Sequence, residues 1–447
     1  MIDRKVILRA WRIAWPLIVS EAVSSVLSIT DMFFVSRLGD EPVAAVGLAG
    51  YASWLFFIIT QLFYMGVIVL ASQAYGADHL DEASQVAGES MPASLVLAIP
   101  MALLGVVTSN TFLALLGGKG RVAVLAAEYF RIRLLALPLV ALTMTIGAVF
   151  RAVGVTRYVM AASLAGTTVN VFLDPFLIFG LKPFPKLGVV GAAWASVAAQ
   201  TVNLVLHAAF IGRLPLRVSP TVPGRRAYRA LKVGLPPMFE RLVFSLGNMA
   251  YIAVIARCGR EAMAAHTIGI RIESFAYLPA FAMSIAASSL VGHEIGRRDI
   301  SMAKKVGWEV SKATTLLMVA AGALLVALSP IAPGFFTGSS RIAWLAAIYL
   351  VLAAISEPSL GLVMGLAGAI RGAGNTLVPT LVNLVSLYAF RVVPAYLLPW
   401  LMPSELRVLG AWLAMDIDLF TRSAIFTLLY KRKFERFARV LTTTSSP

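Results

Sequence analysis

Long apolar runs alternate with short polar segments along almost the whole chain. Each run reaches the roughly 20 residues that a helix needs to cross the hydrocarbon core of a bilayer. The pattern therefore predicts twelve transmembrane helices. The predicted runs are 7–35, 45–71, 91–116, 122–150, 158–179, 188–211, 231–256, 263–291, 310–331, 342–369, 377–401 and 408–430.

The first half of the sequence matches the second at one constant offset. Six helices per repeat is an even number, so both copies enter the membrane from the same side and the repeats are parallel. The matched pairs include Pro16 with Pro236, Gly39 with Gly259, Glu41 with Glu261, Gly76 with Gly296, Arg151 with Arg371, Gly154 with Gly374 and Thr156 with Thr376. The predicted fold is an all-α membrane protein with two six-helix lobes around a central cavity.

The polar segments divide this architecture into four parts. An N-lobe at 1–212 holds helices one to six, and a C-lobe at 233–432 holds helices seven to twelve. A basic segment with three prolines, 213–232, is the predicted cytoplasmic linker, and 433–447 is the predicted cytoplasmic tail.

The composition excludes a water-soluble domain and a nucleic-acid-binding domain. Of the residues, 59% are hydrophobic and 13% charged, whereas soluble domains have about 45–50% and 25%. The net charge of +16 comes from Lys and Arg at the ends of apolar runs, as in anchors of membrane helices. Cys258 is the only cysteine, so an intrachain disulfide is excluded.

The distribution of Lys and Arg predicts that both termini lie in the cytoplasm. These residues are concentrated in the loops and tails on the side of the termini, as the positive-inside rule requires. The segment 72–90 is an exception, because it carries Asp78, Asp81, Glu82 and Glu89 but neither Lys nor Arg. Acidic residues count little in this rule, so the predicted orientation stands.

Charged residues inside the runs indicate a functional site, because each costs at least ~2.5–3.5 kcal/mol at membrane depth. Asn170 and Asp174 lie on one face of the fifth helix at spacing i, i+4. Their oxygens suit Na⁺, or a proton if the carboxylate is desolvated. The alternative interpretation is a polar cluster that fixes helix packing.

The repeat favours a functional role, because the carboxylates differ between the halves. Asp31 is matched by Tyr251, and the eleventh helix contains no acid. Glu21 and Glu273 are either cavity-lining residues or packing acids paired with Arg241 or Arg271. The sequence lacks a phosphate-binding loop, a nucleophile elbow and a zinc-protease motif, so we expect neither catalysis nor an enzymatic cofactor, and no metal beyond a coupling Na⁺.

The chain resembles the multidrug and toxic compound extrusion (MATE) transporters over nearly its whole length. The resemblance rests on segments 27–39, 44–47, 170–175 and 188–193 and on the helix-end motifs at 151–156 and 371–376. The chain is most similar to the branch named for DNA-damage-inducible protein F, in its bacterial and archaeal form. The resemblance implies a cation or proton site at Asp31, Asn170, Asp174 and Ser196, where Ser196 replaces a frequent Thr. It also implies a bend of the first helix at Pro16.

The implied function is export of amphipathic organic cations in exchange for H⁺ or Na⁺. In the implied mechanism, a cation from outside neutralises Asp31 and Asp174, the first helix bends at Pro16, and the N-lobe cavity shrinks. We expect a monomer in the plasma (inner) membrane, with small-molecule cargo and lipid as its partners and no nucleic acid. A flippase for lipid-linked saccharides, with Arg241, Arg271 and Arg391 meeting a diphosphate, is the alternative. An intramembrane enzyme or a structural subunit is a third hypothesis.

Overall fold

The computed structural model describes residues 3–438, and over that range it is helical without any strand. The helices before residue 211 are α1 Arg4–Ser36, α2 Asp40–Phe57, α3 Gln61–Gly76, α4 Leu80–Leu115, α5 Gly120–Leu135, α6 Leu137–Val153, α7 Arg157–Phe179 and α8 Val189–Phe210. The later helices are α9 Arg225–Arg257, α10 Arg260–Ala276, α11 Leu278–Gly296, α12 Ile300–Leu328, α13 Ser340–Gly372, α14 Leu377–Ser386, α15 Val393–Leu397 and α16 Arg407–Phe437. Residues 1–2 and 439–447, which include both predicted cytoplasmic termini, lie outside the described residues.

These helices form twelve consecutive segments, which confirms the predicted all-α fold. Four segments are interrupted helices: α2–α3, α5–α6, α10–α11 and α14–α15. Within the described range, ten helices are long and apolar enough to cross a membrane, and α5–α6, bent by 42°, makes an eleventh. The twelfth segment is α16, whose middle carries Asp416, Asp418 and Arg422.

The helices α4, α9 and α12 begin earlier than their apolar runs predict. They begin at Leu80, Arg225 and Ile300, because their first turns are polar. Within the predicted linker 213–232, residues 225–232 are helical. Pro236 and Pro237 lie inside α9.

The chain divides into two compact units that we describe separately. The N unit is Pro16–Met238, and the C unit combines Met1–Trp15 with Phe239–Pro447. The units differ from the sequence-based lobes at two places. The first turns of α1 belong with the C-terminal helices, and the first turns of α9 belong with the N-terminal helices.

Each unit has its own core of small and aromatic side chains. In the N unit, α2, α5 and α8 pack alanines around Phe130 and Leu134, which are fully buried. In the C unit, Tyr349 and Trp412 meet edge to face with ring centroids 5.2 Å apart. Rings in this geometry contribute about 0.5–1.5 kcal/mol beyond their buried area, so α13 and α16 are firmly joined.

Candidate functional site

The four residues of the predicted site come together in the N unit, on α1, α7 and α8. Asn170 and Asp174 share one face of α7, and both side chains are fully buried. When the Asn170 side-chain amide is turned so that both of its ends are hydrogen-bonded, its nitrogen donates to Oδ1 of Asp31 at 2.7 Å and its oxygen accepts from the backbone N–H of Ser196 at 3.1 Å. The i, i+4 spacing thus places an amide and a carboxylate beside the acid of the first helix.

The Asp174 carboxyl group is the least satisfied part of this site. Among the described residues, neither of its oxygens accepts a hydrogen bond from a neutral or cationic donor. Its neighbour is the half-buried carboxyl group of Asp31, close enough for the two to share a proton. Two carboxylates side by side repel each other unless a proton or a cation lies between them. The pair is therefore suited to bind and release one positive charge.

Two residues of α5 complete the surroundings, and the sequence analysis missed both. Tyr129 is buried, and its hydroxyl interacts with Ser196 and with the two carboxyl groups. Arg133, one turn later on the same face, acts electrostatically on Asp31 and Tyr129. The sequence carries no signal for Tyr129, because a tyrosine inside an apolar run looks like a core residue. Glu128, an acid of the same helix, is exposed.

The three predicted cavity-lining residues lie in different surroundings. Glu21 is half-buried on α1. Glu273 on α10 accepts a short hydrogen bond from the Tyr349 hydroxyl and forms no ion pair with Arg271 or Arg241 among the described residues. Both arginines are exposed. Of the two alternatives that the sequence left open for Glu273, the described residues do not show the pairing with Arg241 or Arg271, and the carboxylate is bound by a buried tyrosine instead.

The C unit contains two further polar clusters, each built around a carboxylate whose two oxygens are both hydrogen-bonded. Glu240 on α9 accepts from Arg371 at 2.9 Å, from Thr380 at 2.8 Å and from Asn383 at 2.6 Å. Pairing of this kind leaves no oxygen of Glu240 free for a ligand, so the cluster joins α9 to the helix-end motif at Arg371.

The second cluster surrounds Asp418 on α16. The Asp418 carboxylate is fully buried and accepts from Ser386 at 2.6 Å, from Arg391 at 2.9 Å and from Arg422 in a bidentate pair. Arg391 reaches it from the π-helical segment Leu387–Val392. Two cations and one buried anion thus meet in the interior of the C unit.

Another buried acid of the C unit has no such partner. Glu357 on α13 is 1% exposed, and neither of its oxygens is hydrogen-bonded within the described part of the chain. Glu273 is its electrostatic neighbour. Glu357 is therefore a buried acid of the C unit, and it does not belong to the four-residue site of the N unit.

The donor set of the N-unit site decides which ions it suits. Within residues 3–438, no group of three or more His, Cys, Asp and Glu side chains could hold a metal ion. A hard cation needs several convergent oxygens, whereas a proton needs one carboxylate pair.

Known proteins match this chain along most of its length. The MatE family model matches residues 16–176 and 236–397, and the two matches begin at Pro16 and Pro236, which are partners in the internal repeat. A probable multidrug resistance protein NorM of Thermotoga maritima is 27% identical over 94% of this chain and 91% of its own length. A probable multidrug resistance protein YoeA of Bacillus subtilis is 25% identical, with coverages of 94% and 93%.

A solved structure supports the same fold. An outward-facing multidrug resistance MATE family transporter of the MOP superfamily superposes with a TM-score of 0.89 at 22% identity, covering 96% of each chain. The family model covers more than half of this sequence in two repeated blocks. The chain therefore belongs to the MatE family of multidrug efflux transporters, which are membrane transporters and not enzymes.

Proposed function

We propose that the protein is a secondary antiporter that exports amphipathic organic cations in exchange for inward H⁺. It acts as a monomer in the plasma (inner) membrane with both termini in the cytoplasm. The observation that supports this proposal is the buried Asp174 carboxyl group beside Asp31, with no hydrogen-bond donor of its own among the described residues. A transporter that exchanges one positive charge for another needs such a pair.

We propose H⁺ as the coupling ion because the neighbouring carboxyl groups of Asp31 and Asp174 can share one proton. That proton relieves the repulsion between the two carboxylates. Arrival of a cationic cargo near the pair then competes with the proton, because both are stabilised by the same negative charge.

The test is counterflow in proteoliposomes under separate pH and Na⁺ gradients, with a fluorescent lipophilic cation as cargo. We expect a pH gradient at equal Na⁺ to drive transport, and a Na⁺ gradient at equal pH to drive none. Protein-free liposomes control for passive movement of the cargo. Transport driven by Na⁺ alone would reverse the assignment of the ion, and no transport under either gradient would overturn the antiport proposal.

The flippase alternative required three unpaired arginines in the cavity, and one of them is already in an ion pair. Arg391, which the sequence offered for binding a diphosphate, is held by Asp418 at 2.9 Å. A diphosphate-binding cavity needs cations that are not already neutralised. Export of a cationic cargo therefore remains the function that we propose.

The bend of α1 is tested by comparing two prolines. Pro16 is buried within α1, and its ring removes one helical hydrogen bond and crowds the preceding turn. We expect Pro16→Ala to slow transport more than Pro236→Ala, with cargo binding largely kept in both. Because Pro236 is itself inside a helix and is followed by Pro237, α9 keeps one helix-breaking residue in the Pro236→Ala variant. Equal transport rates in the two variants would remove bending at Pro16 from the mechanism.

A further inference from the structure

The first turns of α1 and α9 belong to a different unit from the rest of the same helix. Residues 4–15 of α1 belong to the C unit and residues 225–238 of α9 to the N unit, although both helices are continuous. Each helix therefore changes unit part-way along its length. In α1 the change falls at Pro16, and in α9 it falls directly after Pro236 and Pro237.

A glutamate far away in sequence caps the start of α9. Oε2 of the buried Glu89 accepts from the backbone N–H groups of Gly224 at 3.1 Å, Arg226 at 2.9 Å and Ala227 at 3.1 Å. The Arg226 guanidinium also pairs with Glu89 at 3.1 Å and with Glu82 at 3.0 Å. Free N–H groups and the positive end of the helix dipole both favour an anion at this place.

The same turns of α9 lie against α3 at backbone distance. A Cβ atom added to Gly66 would lie 1.9 Å from the carbonyl oxygen of Ala230, and one added to Gly234 would lie 1.6 Å from that of Leu62. Larger side chains at either glycine would push the helices apart. The start of α9 is therefore fixed to the N unit by close packing as well as by Glu89.

The start of α1 is held in the C unit by an equivalent set of contacts. Oε2 of the buried Glu309 accepts from the backbone N–H of Asp3 at 3.1 Å, and Lys305 pairs with the Asp3 carboxylate at 3.1 Å. The Lys305 ammonium, through this hydrogen bond, lowers the pKa of Asp3. One turn further, Arg9 contacts Glu294 at 3.4 Å.

The two glutamates that hold these helix starts are repeat partners. Glu89 and Glu309 are separated by the same offset as Pro16 and Pro236, which relates the two halves of the sequence. Glu89 caps α9, which begins at Arg225, whereas Glu309 binds the N–H of Asp3, the residue before α1. At α9, the preceding residue is Gly224, which offers no side-chain cap of its own, so the remote glutamate is the cap. The same device has thus been kept in both copies of the repeat.

We propose that Glu89 and Glu309 are paired positioning residues for transport, which anchor the cytoplasmic starts of α9 and α1 to the unit opposite the rest of each helix. A helix bends at one defined residue only if the segments before and after that residue are each fixed in position. The two glutamates fix the segment before the bend, and the prolines weaken the helix at the bend itself. The inference rests on transport by this family, but not on the proposed ion or cargo.

The test combines spin-label distances with transport kinetics in proteoliposomes. On a background of Cys258→Ala, labels at Leu80 and Tyr228 report the α9 anchor, and labels at Leu8 and Ser301 report the α1 anchor; all four positions are exposed. We expect a single narrow distance for each pair in the parent protein. Glu89→Ala should broaden the first distance and Glu309→Ala the second. Turnover should fall by roughly fivefold to tenfold, the factor that corresponds to one lost charge-assisted cap, while KM for the cargo stays unchanged.

Glu435→Ala is the matched control, because this glutamate pairs with Lys304 but is 70% exposed and caps no helix. It should change neither distance nor turnover. If an alanine variant does not fold, the corresponding glutamine variant, which keeps the size and one acceptor oxygen, carries the same test. An unchanged distance would overturn the anchor, and a broadened distance with unchanged turnover would overturn its role in transport. Because the distances are measured without cargo or gradient, they separate this result from any failure of the proposed antiport.

Discussion

Replacing Asp174 by asparagine should reduce gradient-driven export to the level of protein-free liposomes. The substitution keeps the size of the side chain but removes a charge that no other donor satisfies in the described structure. Asp31 would remain alone, and the shared proton would lose one of its two acceptors. Since removing a charge at membrane depth seldom harms stability, we expect normal insertion and an unchanged melting temperature. Transport is measured in proteoliposomes under a fixed pH gradient.

Glu128→Gln is the matched control for this variant. Glu128 lies at membrane depth on α5 next to Tyr129, but its side chain is exposed, so its neutralisation should leave export unchanged. If purified Asp174→Asn transports at the parent rate, the coupling site is elsewhere. Glu273 and Glu357, the two neighbouring acids of the C unit, would then be tested next by the same substitution.

Replacing Asp418 by alanine should destabilise the protein severely, by about 3–5 kcal/mol, the usual cost of leaving a buried charge without its partner. Asp418 is fully buried and is the shared acceptor of Arg391 and Arg422. Without it, two guanidinium groups would face each other in the interior of the C unit. Thermal unfolding in detergent, followed by tryptophan fluorescence, measures the effect.

The exposed ion pair between Glu405 and Arg341 provides the comparison for Asp418. Its atoms are 4.0 Å apart and Glu405 is 81% exposed, and such surface pairs contribute little. We expect Glu405→Ala to unfold at the temperature of the parent protein. An Asp418→Ala protein that is equally stable would mean that the two arginines find other acceptors, and the cluster would then not be a structural requirement.

The proximity of the four predicted residues in the N unit could be anticipated, because their signals were helical spacing and family resemblance. Asn170 and Asp174 are one helical turn apart, so periodicity alone places them on one face. Asp31 and Ser196 came from resemblance to the family, and the structure brings both to Asn170. Tyr129 was missed because a tyrosine inside an apolar run has no pattern that separates it from a core residue.

The remaining polar contacts depended on partners that are distant in sequence. The acids of segment 72–90 looked like an exception to the charge rule. Two of them, Glu82 and Glu89, have partners 135 or more residues later, at the start of α9. Arg391 contacts Asp418 from a π-helical turn. This backbone conformation is rare and is not predicted by the local sequence. Hydrophobic periodicity therefore gives the helices and their number, but not the polar contacts between them.

The anchor of α1 also sets the order in which the molecule can be completed during synthesis. Arg9 and its partner Glu294 are 285 residues apart, and Asp3 and Glu309 are 306 apart. At the usual rate of about 5–20 residues per second, the first turns of α1 wait roughly 15–60 s for their partners to leave the ribosome. During that time the basic segment 4–12 remains without its acidic contacts. The first turns of α1 are therefore among the last parts of the molecule to reach their final position. A ribosome stalled before α11 would leave a nascent protein whose first helix is inserted but lacks its contacts with Glu294 and Glu309.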